Sequence, residues 1–177
     1  MKKAMFLVSI LALLPFTTPA AVALDWNEVL NGLMKLPGAQ DLIQNTLNSF
    51  VSEALNTINS NSSIKNFDGA KNFVDSLMAK GGYAGQEPST DPKVVSSVKS
   101  KMTSSDTEKV TESTDVLNIT TGVITILDWL DKHPALLNQI SGIVGKLTDI
   151  KVTIIRPQDT NILSFIGKAL PFLGALL

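Results

Sequence analysis

The stretch Val116–Leu130, VLNITTGVITILDWL, decides how the chain is read. Val116, Ile119, Val123, Ile126, Leu127 and Leu130 recur at steps of three and four, which gathers them on one side of a 3.6-residue helix. Asn118, Thr121, Thr125, Asp128 and Lys132 fall on the other side. Ile119 to Ile126 is also rich in β-branched residues, which lose χ1 freedom in a helix and favour strands. Strict alternation fails there, so the periodicity predicts a helix. Leu117 and Ile124 widen the apolar arc beyond a two-helix seam, as in a central bundle helix with neighbours on more than one flank.

Working toward the C-terminus, His133-Pro134 imposes a break, because the residue before proline is disfavoured in the helical region. Leu136, Leu137, Ile140, Ile143, Val144 and Leu147 then form a second stripe, so residues 115–148 are predicted to make a tight helical hairpin. Gly142 and Gly145 would admit a close neighbour, at a helix cost of about 1 kcal/mol each relative to alanine. Ile150, Val152 and Ile154 alternate with Lys151 and Thr153, which is strand periodicity over residues 150–155. Such a strand would be an extended connection packed on the bundle, a short pairing with another segment, or an edge open to another chain. Asp159 or Thr160 is expected to cap the last element, where Ile162, Leu163, Phe165, Ile166, Ala169, Leu170, Phe172, Leu173, Leu176 and Leu177 leave a polar strip only at Ser164, Gly167 and Lys168. Residues 160–177 are therefore either a core helix, the favoured reading, or a membrane-binding one.

Toward the N-terminus, Asp25 and Glu28 match a capping box ahead of the stripe Trp26, Val29, Leu30 and Leu33, which Pro37-Gly38 ends. Gln40 to Asn59 carries Ile43, Leu47, Phe50, Ala54 and Ile58 on one face. Gln44, Asn45, Asn48, Ser52 and Asn56 lie opposite, an uncharged face suited to an exported surface or to a partner. Asp68 is expected to cap a third helix running to Gly81. Gly81, Gly82, Gly85, Pro88 and Pro92 follow without the Gly-Lys-Ser or Gly-Lys-Thr of a phosphate loop. Large apolar residues are sparse from there to Val110, so residues 81–114 are expected to be weakly packed or mobile.

At the front, Lys2 and Lys3, an apolar run from Ala4 to Leu14 and the small residues before Leu24 make a secretory signal peptide over residues 1–23, cleaved near Ala23. A secreted or periplasmic address follows. Residues 24–177 then form a single helical domain with 13 basic and 16 acidic side chains, and no basic run that would support nucleic-acid binding. The chain has no cysteine, so disulfides and thiolate chemistry are excluded and burial alone must hold the fold. The fold class that results is all-α, a compact multi-helix bundle with a central helical hairpin and at most one short strand.

Chemistry is thinly represented. His133 is the only histidine, no nucleophile-elbow motif accompanies it, and one histidine without cysteine offers too few metal ligands. No cofactor is implied. Asp25 with Glu28 and Asp128 with Asp131 have the spacing of acid/base pairs, though capping and solvation account for both. Trp26, Trp129, Phe165 and Phe172 are the candidate ligand-binding residues, with aromatic core packing as the competing fate. Asn61-Ser62-Ser63 and Asn118-Ile119-Thr120 are glycosylation acceptor sequons. These features together point to an exported non-enzymatic helical protein that binds a lipid or other apolar ligand, a membrane surface or a protein partner. A membrane-active toxin using the apolar C-terminal helix and a carboxylate-dependent hydrolase are the alternatives.

Overall fold

The computed structural model describes residues 24–61, 63–156 and 161–177. The leader and the caps expected at Asp159 or Thr160 lie outside the described residues. Among those residues the fold is all-α: α1 Trp26–Met34, α2 Ala39–Ser60, α3 Phe67–Lys80, α4 Pro92–Lys99, α5 Ser104–Asp131, α6 Pro134–Gln139, α7 Ser141–Ile154 and α8 Ile162–Leu176.

The quoted stretch is the second half of α5, a helix of 28 residues that serves as the spine. At 1.5 Å per residue it runs about 42 Å. It begins at Ser104, earlier than its apolar stripe, because a capping box starts it there. Thr103 Oγ1 accepts from the Asp106 N–H at 3.2 Å, and Asp106 Oδ2 accepts from the Thr103 N–H at 2.9 Å.

The buried side of α5 changes along its length. Val110, Ser113, Val116, Leu117 and Thr120 are buried on one side; Ile119, Gly122, Val123, Ile126, Trp129 and Leu130 are buried on another. At 100° per residue these arcs are centred roughly 140° apart. Val116 thus leaves the single stripe that periodicity assigned it, and Leu117, which widened the apolar arc, is buried with it on the other side. Each half of α5 serves its own core, and the two cores lie on different sides of it. The first is built by α1, α2, α6, α7 and the C-terminal half of α5, with Leu30, Ile43, Leu47, Ile126, Leu130 and Leu147 fully enclosed. The second is built by α3, α4, α8 and the N-terminal half, around Leu77, Val98, Val110, Leu117, Phe172 and Leu173.

Two arms run antiparallel to the spine. In the first, Phe50 of α2 abuts Gly122, Ser63 and Ile64 meet Glu112, and Lys80 at the end of α3 reaches Asp106. In the second, α7 packs on the first core and α8 on the second. Arg156 after α7 pairs with Asp68 at 3.2 Å, and Phe165 meets Phe67 edge to face, so the joints of the two arms lie at the same level.

Several expectations are corrected. Residues 150–154 are helical, not a strand in any of its three forms. Ile143, Leu147, Ile150 and Ile154 continue one 3–4 stripe, and the apparent alternation arises because Val152 faces outward. The hairpin's second limb is divided at Ile140, whose φ of −119° and ψ of 31° separate α6 from α7. A Cβ on Gly142 or Gly145 would meet nothing within 4 Å. Close approaches are at Gly81, where an added Cβ would lie 2.5 Å from Val98 Cγ2, and at Gly122, where it would lie 2.7 Å from Phe50 Cζ and 3.0 Å from Trp26 Nε1. Asn66, not Asp68, caps α3, accepting from the Gly69 N–H at 2.8 Å. In the sparse stretch, Val94 and Val98 of α4 are buried in the second core, and Ser97 donates to the Gly81 carbonyl at 2.7 Å. Of the two readings for the C-terminal helix, α8 takes the core one: Ile166, Ala169, Leu170, Phe172, Leu173 and Leu176 are buried.

Candidate functional site

The four candidate aromatics do not converge. Trp26 and Trp129 belong to the first core, Phe165 and Phe172 to the second. Trp26 packs edge to face on Phe50 with centroids 5.0 Å apart, Phe172 is fully enclosed, and Phe165 is half-buried against Phe67 with Lys71 Nζ 5.4 Å from its ring centre. Aromatic burial of this kind is packing; a ligand reaching Trp26 or Phe172 would have to open a core.

Trp129 has a polar handle at the corner where α5 ends. Its Nε1 donates to Asn31 Oδ1 at 2.9 Å, and its ring stacks on His133 with centroids 3.8 Å apart and planes 20° from parallel. His133 Nδ1 lies 2.7 Å from the Trp129 carbonyl oxygen. Since a carbonyl can only accept, Nδ1 carries the hydrogen and Nε2 is left for solvent or a partner. The imidazole is thus fixed by the turn that Pro134 enforces, as a junction residue.

The carboxylates show where charge concentrates. Asp25 accepts from the Glu28 N–H at 3.2 Å, and Asp128 pairs with Lys132 at 2.9 Å, so one member of each supposed acid/base pair has a local structural partner. A different group gathers at the level of the arm joints. Glu112 accepts from Ser63 Oγ at 2.7 Å and from the Ile64 N–H at 3.3 Å, which ties down the start of the second core. Asp115 is exposed as a residue, yet partial desolvation of its carboxyl, then the nearby Glu53 and Glu112 carboxylates, push its pKa up. Asp106 goes the other way. Its bond to Lys80 is the leading cause, opposed by burial and reinforced by the Thr103 donors, and it holds the carboxyl below the usual range. Asn61 is buried with Nδ2 donating to the Ile64 carbonyl at 3.0 Å, so the folded chain does not present this sequon's nitrogen. Thr120 of the second sequon is buried and donates to the Val116 carbonyl at 2.7 Å.

Sequence periodicity missed the surface of the second arm. Val152 is 74% exposed in the last turn of α7, and Leu163 and Leu177 are 49% and 51% exposed. Lys146, Lys151 and Lys168 are exposed on the same two helices. The signal that could have found them is charge asymmetry. Residues 24–140 hold 9 basic and 14 acidic side chains, net −5, while residues 141–177 hold 4 and 2, net +2.

Fold and surface together define an all-α protein of two cores on one spine. No protein-family model matches the chain, and no curated protein or solved structure matches it significantly. Function is therefore argued from its own residues.

Proposed function

We propose that this is an exported, non-enzymatic helical protein that works by binding, taking a lipid or other apolar partner on its outer surface rather than in its interior. The observation carrying this reading is the exposure of Val152 on the outward side of α7 and of Leu163 on a flank of α8. A helix that only meets water ordinarily carries charged and polar residues on that side. Single exposed apolar residues are common, so the weight comes from their lying on consecutive helices of one arm.

The toxin alternative draws on the same arm but needs the apolar side of α8, which is packed in the second core. No helix among the described residues is long and apolar enough to cross a membrane. The hydrolase alternative has no structural observation in its favour.

The test is to purify the native protein from its exported fraction, extract it with organic solvent and identify co-purifying lipid, alongside titration with a fluorescent fatty-acid probe. Bound lipid or saturable probe binding supports the reading. An empty protein that ignores the probe and hydrolyses a substrate in a broad glycosidase screen would reverse it.

A further inference from the structure

Between α3 and α5 the chain makes an excursion, residues 84–102, that neither neighbouring helix needs for its own end. α3 stops on its own cap, where the Tyr83 N–H donates to the Met78 carbonyl at 2.9 Å, and α5 starts on the Thr103–Asp106 capping box. Lys80 bonds Asp106 across the two ends, so the base of the excursion is closed whatever the rest of it does. The excursion carries α4, which packs on α3 and α8 at the second core.

Its seat is light. Of the eight residues of α4 only Val94 and Val98 are buried, and a helix well under ~12–15 residues does not persist in water without tertiary contacts. Lys93, Ser96 and Lys99 on its other side are exposed. At the far edge Glu87 pairs with Lys168 of α8, with both side chains substantially exposed, which makes a weak latch. Near the base Ser97 Oγ donates to the Gly81 carbonyl at 2.7 Å, and Val98 rests so closely on Gly81 that a Cβ there would lie 2.5 Å from its Cγ2. The turn at Gly85, with a φ of 77° and open space around it, forms one pivot. The turn after α4, where the Met102 N–H reaches the Lys99 carbonyl at 3.3 Å, forms the other.

We infer that residues 84–102 are a lid on the second core, opening as one unit from the base clamped by Lys80 and Asp106. The free energy of a local opening follows the apolar burial and the bonds it gives up. Lifting the lid gives up Val94, Val98, Pro88, the partly buried Val95 and Met102, one side-chain hydrogen bond and one exposed ion pair. Detaching α3 or α8 would give up six buried side chains from either helix. Closed, the lid shields the sides of α3 and α8 beneath α4; open, it bares them. The device is independent of what the outer surface binds.

The chain has no cysteine, so a single introduced thiol reports its own exposure. V98C on the lid, L117C on the spine in the same core and L147C in the first core all replace fully enclosed side chains. Under native conditions iodoacetamide should label V98C at least about tenfold faster than the other two, and in the parent chain the amides of α4 should exchange faster than those of α3 and α8 by a similar factor. Gly81 has a φ of −72°, which alanine adopts freely, so G81A acts by wedging Val98 upward. It should speed exchange over α4 and leave residues 122–130 unchanged. E87K should speed V98C labelling, and E87K/K168E should restore it. If V98C and L117C label at one rate, fast or slow, the lid has no opening of its own and the assignment falls. It falls equally if the α4 amides of the parent exchange no faster than those of α3, or if G81A leaves them as they were.

Discussion

The two cores share a spine but are secured differently. The first depends on shape: Trp26, Phe50 and Gly122 interlock, and long stripes on α1, α2 and α7 close around Ile126 and Leu130. The second has a short helix, α4, with only Val94 and Val98 buried, and draws more on polar ties. Lys80 bonds Asp106, Asp106 closes the capping box with Thr103, and Glu112 holds Ser63 and Ile64. Where apolar periodicity is continuous, packing alone sets the register. Where it thins, caps and charge-assisted hydrogen bonds fix helix ends that burial would leave undetermined.

The strongest way to break this comparison is to remove α8 with a stop after Asp159. Six buried side chains would be lost from the second core, at roughly 1.5–3 kcal/mol for each large one, against a whole-domain stability of about 5–15 kcal/mol. We expect fast amide hydrogen exchange in α3 and α4, retained protection over residues 122–130, and aggregation through the bared core. Uniform loss of protection would mean that the cores fold as one unit. An unchanged melt would mean that α8 is not a core helix.

Gly122→Ala probes the shape-dependent core. A Cβ 2.7 Å from Phe50 Cζ must displace a ring that also packs on Trp26. Overpacking costs about 1–3 kcal/mol and alanine returns about 1 kcal/mol of helix propensity, so a net loss of up to about 2 kcal/mol is expected in thermal melting. Gly145→Ala, into open space, should instead gain up to about 1 kcal/mol. Equal effects at the two positions would show that Phe50 yields freely.

How far these features were readable from the sequence follows from the same division. The stripes of α1, α2 and α7 and the break at His133-Pro134 were legible because continuous apolar spacing and proline act locally. Leu127 was assigned to the central stripe yet is only partly buried, because the buried arc of α5 rotates between its halves and one stripe cannot describe both. The start of α5 was missed although its Thr103/Asp106 capping box is local, because Ser104 to Lys109 carry no apolar side chain that would continue the stripe. Val152 was read as part of a strand because β-branching imitates alternation. Of the candidate aromatics, their burial could be anticipated as the competing fate, but their separation into two cores could not.

Asp106→Asn tests the polar tie. An amide can keep the cap in part but loses the ionic partner, and Lys80 is substantially exposed, so the expected loss at neutral pH is about 1 kcal/mol. Because the folded pKa is depressed, the contribution is present above the ordinary carboxylate range and disappears as pH falls through the lower folded value. Parent and variant melts should therefore differ at pH 7 and converge in acid. A constant difference across that range would assign the loss to the cap alone.

Asp115→Asn should have the smallest effect and the opposite sign. The carboxyl of Asp115 is raised by desolvation and by Glu53 and Glu112, so the folded state binds its proton more readily than the unfolded chain does. Stability from this group accordingly rises as pH falls from neutrality through the raised folded value, and levels off below the unfolded value of about 3.9. Asparagine removes the repulsion at every pH. The variant should melt slightly above the parent at pH 7, and the gap should close on acidification as the parent takes up its proton. This is the mirror of Asp106, one helix carrying a carboxylate that stabilises when charged and another that stabilises when neutral. A variant that melts below the parent at pH 7 would mean that the charged Asp115 is held by a favourable contact, and that the joint between the two cores is stitched by charge rather than strained by it.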